Sequence, residues 1–117
     1  MKLELTKEQS ARLIELGVDA SKANGVIYTD PYDLDDAVEQ KVFTLIDLIG
    51  LLPKWIKYRH YLLYLEMGVD KWEEHWYACY KSEQDCDEAD TFQSAEELID
   101  SLYELLVFLI TENLWKP

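Results

Sequence analysis

Residues 55–80 read WIKYRHYLLYLEMGVDKWEEHWYACY, and the period of their side chains decides the fold. Tyr61, Leu63, Leu65 and Met67 alternate with Leu62, Tyr64 and Glu66. Trp72, Glu74, Trp76, Ala78 and Tyr80 alternate in the same way with Glu73, His75, Tyr77 and Cys79. A period of two sends successive side chains to opposite faces of a strand, whereas a helix repeats every ~3.6 residues. Eight of the fifteen Phe, Trp and Tyr residues fall in this stretch, and aromatic rings suit a pleated, half-buried surface. Gly68-Val69-Asp70-Lys71 offers turn chemistry between the two runs. The spacing predicts an antiparallel hairpin, about 58–67 with 72–81. Trp72, Trp76 and Tyr80 then form a face packed under a helix, with Tyr58, Tyr64 and Tyr77 on the other.

A helix to cover that face follows in the chain. Leu98, Ile99, Leu102, Leu105, Leu106, Leu109 and Ile110 gather on one side at ~100° per residue. Glu97, Asp100, Ser101, Glu104, Thr111 and Glu112 hold the opposite side. Ser94 and Glu97 stand at capping-box spacing, Glu96 and Glu97 suit the positive end of a helix dipole, and Asn113 is a stop. A long C-terminal helix over about 95–113 is expected. Phe108 breaks the pattern, lying in the middle of the polar stripe. Such a ring is either an ordinary partly exposed aromatic or one covered by a second subunit or a partner.

Toward the N-terminus, Thr6 and Gln9 fit a capping box, Leu13, Ile14 and Leu16 make an apolar stripe, and Gly17 suits a left-handed helix end. This predicts a helix over about 7–16. Asp19 caps a short turn, Val26-Ile27-Tyr28 reads as a brief strand, and Thr44 with Asp47 opens a short central helix, about 45–52, that Pro53 ends. The chain carries no internal repeat and no low-complexity linker. The fold class is therefore α+β in a single domain, 1–117, with a small aromatic-rich antiparallel sheet under the long C-terminal helix.

The net charge of −13 over 117 residues is unevenly placed. Residues 23–40 hold five acids and no base, and residues 82–115 hold ten acids with no Lys, Arg or His. Residues 41–81 carry six bases against five acids. Such a field repels nucleic acid and favours cationic partners, so direct nucleic-acid binding is not expected despite Lys54, Lys57 and Arg59 beside Trp55 and Tyr58. The longest apolar run, Leu105 to Ile110, is far short of the ~18 residues of a membrane span, and no signal region opens the chain. A cytoplasmic location without membrane contact is the expectation. The hydrophobic share, 49%, and the aromatic content argue for a folded chain.

Chemistry-bearing residues do not form recognisable constellations. Asp30, Asp33, Asp35, Asp36 and Glu39 lack the ligand order and glycine of a calcium loop, as does the 83–90 run EQDCDEAD. His60, His75, Cys79 and Cys86 have no zinc-type spacing, and Cys79 reads as a buried or edge-strand residue. No phosphate loop or nucleophile elbow occurs, so no metal, cofactor or catalytic residue is expected.

Three stretches, LTKEQSARLIELGVDASKA, FTLIDLIGLLPKWI and SAEELIDSLYELLVFLITEN, resemble a group of small acidic proteins encoded in phage-like or mobile elements of gut bacteria. Together they cover somewhat under half of the chain and leave out the hairpin. The group has no established activity, so the resemblance implies only a cytoplasmic accessory protein and transfers no site residue.

These readings point to a non-enzymatic interaction protein that engages a protein partner through its acidic face or its exposed sheet face. Glu97, Asp100, Glu104 and Phe108 on the helix, with Tyr64 and Tyr77 on the sheet, form the candidate surface. One specific form is inhibition by charge mimicry, with carboxylates standing in for phosphates toward a basic partner. The competing class is a small ligand-binding domain or enzyme with a pocket between sheet and C-terminal helix, lined by His60, His75, Tyr77 or Cys79. Unpaired sheet edges would favour a homodimer.

Overall fold

The computed structural model describes residues 1–28, 39–59, 61–70, 74–82 and 91–116. Its elements run α1 (Lys7–Glu15), β1 (Gly25–Tyr28), β2 (Glu39–Val42), α2 (Leu45–Leu51), β3 (Trp55–Tyr58), β4 (Tyr61–Val69), β5 (Trp76–Lys81), β6 (Gln93–Ala95) and α3 (Leu98–Thr111). The architecture is α+β: a two-stranded sheet, β1-β2, and a four-stranded antiparallel sheet, β3-β4-β5-β6, with α3 across one face.

Local chemistry explains the N-terminal elements. The Thr6 hydroxyl accepts the Gln9 N–H at 3.1 Å while the Gln9 side chain accepts the Thr6 N–H at 3.0 Å, closing the expected capping box. Gly17 follows the helix at φ +109°, a torsion that a side chain would strain. Asp19 caps a 3-10 turn over Ala20–Lys22. Thr44 and Asp47 form the second expected box at the start of α2. Residues 3–5 run beside 43–45, bonded through Leu5 N–H to Phe43 C=O and Leu45 N–H to Leu3 C=O, both at 2.9 Å.

The C-terminal helix starts later than its sequence pattern suggests, and its capping box does not form. Ser94 lies inside β6, opposite Tyr77, so it is committed to the sheet. Glu97 is the N-cap but makes no side-chain cap bond; its carboxylate accepts the backbone N–H of Lys2 at 2.8 Å instead. Ser101, assigned to the polar side by sequence, is fully buried, its hydroxyl donating to Leu98 C=O at 2.7 Å. Asn113, at φ +59°, ends the helix as expected.

The hairpin is present with shifted boundaries. Gly68 and Val69 belong to β4, opposite Tyr77 and Trp76, and the turn is closed by Asp70 N–H to His75 C=O at 2.7 Å. A Cβ at Gly68 would sit 3.1 Å from the Tyr77 hydroxyl, so the missing side chain leaves room for that ring. β3 and β6, which extend the hairpin to four strands, and β2 are additions to the sequence reading.

The core lies between α3 and the inner sheet face. Ala78 and Tyr80 of β5 meet Leu102, Leu105, Leu106 and Leu109, all fully buried, with Leu13, Phe43 and Leu48 extending the cluster toward α1 and α2. Each such leucine contributes roughly 1.5–3 kcal/mol through burial. The Tyr80 hydroxyl donates to Pro53 C=O at 2.7 Å, and burial raises its pKa well above the ordinary tyrosine value.

A candidate interaction surface on the outer sheet face

Cross-strand register determines what the sheet shows on the side away from α3. Residues paired directly across an antiparallel ladder share a face, so Trp55, Tyr64 and Lys81 form one outer row across β3, β4 and β5. Lys57 and Leu62 form the neighbouring row, and Glu66 with Cys79 the next. Trp55 is 57% exposed, Leu62 47% and Tyr64 43%, three large side chains on adjoining positions with no described layer over them. Lys81 reaches Glu66 at 4.0 Å, a half-exposed pair that contributes little to stability. Farther along, the Tyr77 ring stacks on Phe92 with centroids 5.5 Å apart, and Cys79 is fully buried as expected.

Tyr58 departs from the expected arrangement. It pairs with Tyr61 on the inner face, and its ring meets the edge of Phe108 at a centroid distance of 6.3 Å and 74°. The break in the α3 pattern at Phe108 thus has an intramolecular reason: β3, which the sequence reading left out of the sheet, brings Tyr58 over that position. Phe108 is half-buried against the core, not isolated on a polar surface.

The acidic stripe is also partly consumed by the chain itself. Asp100 accepts from Gln9 Nε2 at 3.0 Å and pairs with Lys2 Nζ at 3.3 Å, while Glu97 holds the Lys2 N–H. Glu104 and Glu112 remain exposed. Burial, with the neighbouring Glu104 charge second, raises the Tyr103 pKa on this helix. Of the six sequence candidates, Tyr64 and Tyr77 share the outer sheet face, while Glu97, Asp100, Glu104 and Phe108 lie along one stripe of α3, which packs on the other side of the sheet. They do not form one surface. Trp55, Leu62 and Lys57 were missed, although the alternation Trp55-Ile56-Lys57-Tyr58 was there to be read.

Two open grooves flank Ile46, which is 80% exposed on α2. One, of about 550 Å³, is lined by Leu3, Val26, Thr44 and Leu45; the other, of about 270 Å³, by Lys22, Asn24, Asp47 and Leu51. The Asp47 carboxylate is already taken, accepting from the Asn24 N–H at 2.9 Å, Asn24 Nδ2 at 2.6 Å and the Thr44 N–H at 2.9 Å. Burial alone would raise its pKa, but these bonds outweigh it and hold the pKa below the ordinary carboxylate value.

Among the described residues no group of three His, Cys, Asp or Glu is placed to hold a metal ion, and no helix is long and apolar enough to cross a membrane. The 29–38 and 83–90 acidic runs, His60, Trp72 and Cys86 lie outside the described residues. No family model, curated protein or solved structure matches this chain.

Proposed function

We propose that this chain is a non-enzymatic interaction module that binds a protein partner through the outer face of its four-stranded sheet. The observation that carries this reading is the cluster Trp55, Leu62 and Tyr64, each more than two-fifths exposed and adjoining across β3 and β4. Large apolar side chains left in water on adjoining positions mark an interaction patch, and Trp and Tyr are enriched among the residues that carry binding energy there. The acidic side of α3 is the weaker candidate, because Glu97 and Asp100 already serve Lys2 and Gln9. A pocket beneath α3 is disfavoured by the fully buried side chains of Tyr80, Leu102, Leu105 and Leu106 in that layer. The accessory setting rests on the resemblance of the three helix-and-cap stretches.

Photo-crosslinking in native lysate tests the choice of face. A benzophenone side chain at Leu62 should trap a protein adduct that Trp55→Ala with Tyr64→Ala abolishes, and one at Glu104 should not. Adducts from Glu104 alone would turn the proposal to the acidic face and to charge mimicry.

A further inference from the structure

The free edge of the four-stranded sheet narrows this reading to a class of partner. Among the described residues β3 has β4 on one side and no strand on the other. Leu65 N–H donates to Lys54 C=O at 3.0 Å, so 54/65 is a bonded pair, and Ile56/Leu63 and Tyr58/Tyr61 are the next bonded pairs. Trp55 and Lys57 consequently direct their backbone N–H and C=O groups away from β4. Their side chains stand on the exposed outer face, so a strand added at this edge would lie beside the Trp55 ring.

Charge selects what that strand is. Lys54 and Lys57 are exposed, and neither is ion-paired among the described residues; Arg59 adds a third cation at the end of β3, stacked 5.1 Å over the Tyr58 ring. β3 contains no acid, and the one acid of β4, Glu66, faces Lys81. A second β3 laid on this edge with Lys57 opposite Lys57 would set like charges within roughly 5 Å of one another, where they are destabilising, and in any register it brings no acid to offset Lys54 and Lys57. An acidic strand meets complementary charge instead. Building on the proposed interaction role, we propose that the β3 edge accepts an extended, acidic segment of a partner protein as a fifth strand. Its backbone bonds to Trp55 and Lys57, its alternate carboxylates lie on the outer face beside Lys57, and the apolar side chains between them lie on the inner side near Ile56, with Lys54 adding positive charge at the start of the edge.

Fluorescence anisotropy with a labelled Glu-Val octapeptide (EVEVEVEV) tests this, with the Lys-Val octapeptide as comparator. The Glu-Val peptide should bind at least ten-fold more tightly at 50 mM salt and lose that advantage at 500 mM. Lys54→Glu with Lys57→Glu should weaken it at least ten-fold without touching the core. Lys57→Pro should weaken it at least ten-fold beyond Lys57→Ala, because proline removes an N–H that β4 does not use; unchanged amide exchange at Leu63 would verify the sheet. Equal binding of both peptides, or equal effects of Pro and Ala at Lys57, overturns strand addition of an acidic segment. So does sedimentation as a dimer that Lys57→Pro dissociates, since the occupant is then a second copy. Loss of the peptide result with the Leu62 crosslink intact defeats this inference alone; loss of both defeats the interaction reading itself.

Discussion

Replacing Thr91 by valine is the sharpest test of how the sheet is held together. β6 pairs with β5 from Trp76↔Ala95 to Ala78↔Gln93, and continuing that register would put residue 91 opposite Tyr80. The backbone ladder stops before that point. The Thr91 hydroxyl takes its place, accepting the Tyr80 N–H at 3.1 Å and donating to the Tyr80 C=O at 3.0 Å. Thr91 is 1% exposed, so no bulk water reaches either group. Valine keeps the shape of threonine but leaves a buried N–H and a buried C=O short of a partner, at about 1–3 kcal/mol for each unmet group. Since the carbonyl is the more tolerant of the two, the expected loss is about 2–4 kcal/mol. For a chain of this length that lowers Tm by roughly 8–16 °C. Thr91→Ser, which keeps the hydroxyl and deletes one methyl, should cost only about 1 kcal/mol. Urea denaturation followed by circular dichroism measures both, and hydrogen exchange at the Tyr80 amide should accelerate in the valine variant alone. A valine variant as stable as the serine variant would refute the assignment of the hydroxyl as the closing rung.

Asp47→Ala should cost about 1–2 kcal/mol at pH 7, since it removes a cap and the anchor of Asn24 from a partly solvated site. Because the native pKa of Asp47 is lowered, its contribution is full above the unfolded value of about 3.9 and fades as pH falls through the native pKa; urea titrations at pH 7 and pH 2.5 should show the gap between wild type and variant narrowing. Phe108→Ser should destabilise by about 2 kcal/mol, through lost packing on Tyr58 and the core, and leave the sedimentation coefficient unchanged. Asp100→Ala should cost about 0.5 kcal/mol at 0.05 M NaCl, measured by chemical denaturation, and less at 0.5 M, because the Lys2 pair is about one-third exposed.

Features with a local cause were legible in the sequence. Thr6 with Gln9, Thr44 with Asp47, Gly17 and Asn113 each act within one turn of chain, and each behaves as its residue type predicts. Tyr80 and the leucines of α3 were equally readable, since periodicity alone assigns them to the core. What escaped depends on pairing between distant segments. β3 turns into β4 through Arg59 at φ +49°, without the Asn-Gly or Asp-Gly signal that marks such turns, so the predicted hairpin began at Tyr58, ran through this turn as one strand, and left Trp55–Lys57 outside it. Ser94 satisfies a cap pattern and a strand equally well, and only the presence of Tyr77 across the ladder decides between them. Once β3 was missed, Phe108 lost its partner and Trp55 its place on the outer face.

The charge excess changes meaning through the same long-range contacts. Glu97 and Asp100 lie in the acid-only stretch of residues 82–115, yet they bind the Lys2 N–H, Lys2 Nζ and Gln9, fixing the N-terminal segment across the start of α3. Lys57 of β3 and Lys54 just before it, neither ion-paired among the described residues, belong to the sheet edge, and the outer row beside them faces away from α3. Surface charges farther apart than about 8 Å at physiological salt scarcely influence one another, so the local field at Lys54 and Lys57 is not that of the whole molecule. Net charge, which excluded nucleic acid in the sequence reading, therefore does not exclude an acidic protein segment at this edge. It acts on orientation: an approaching acidic strand meets repulsion at the exposed Glu104 side of α3 and attraction at Lys54 and Lys57.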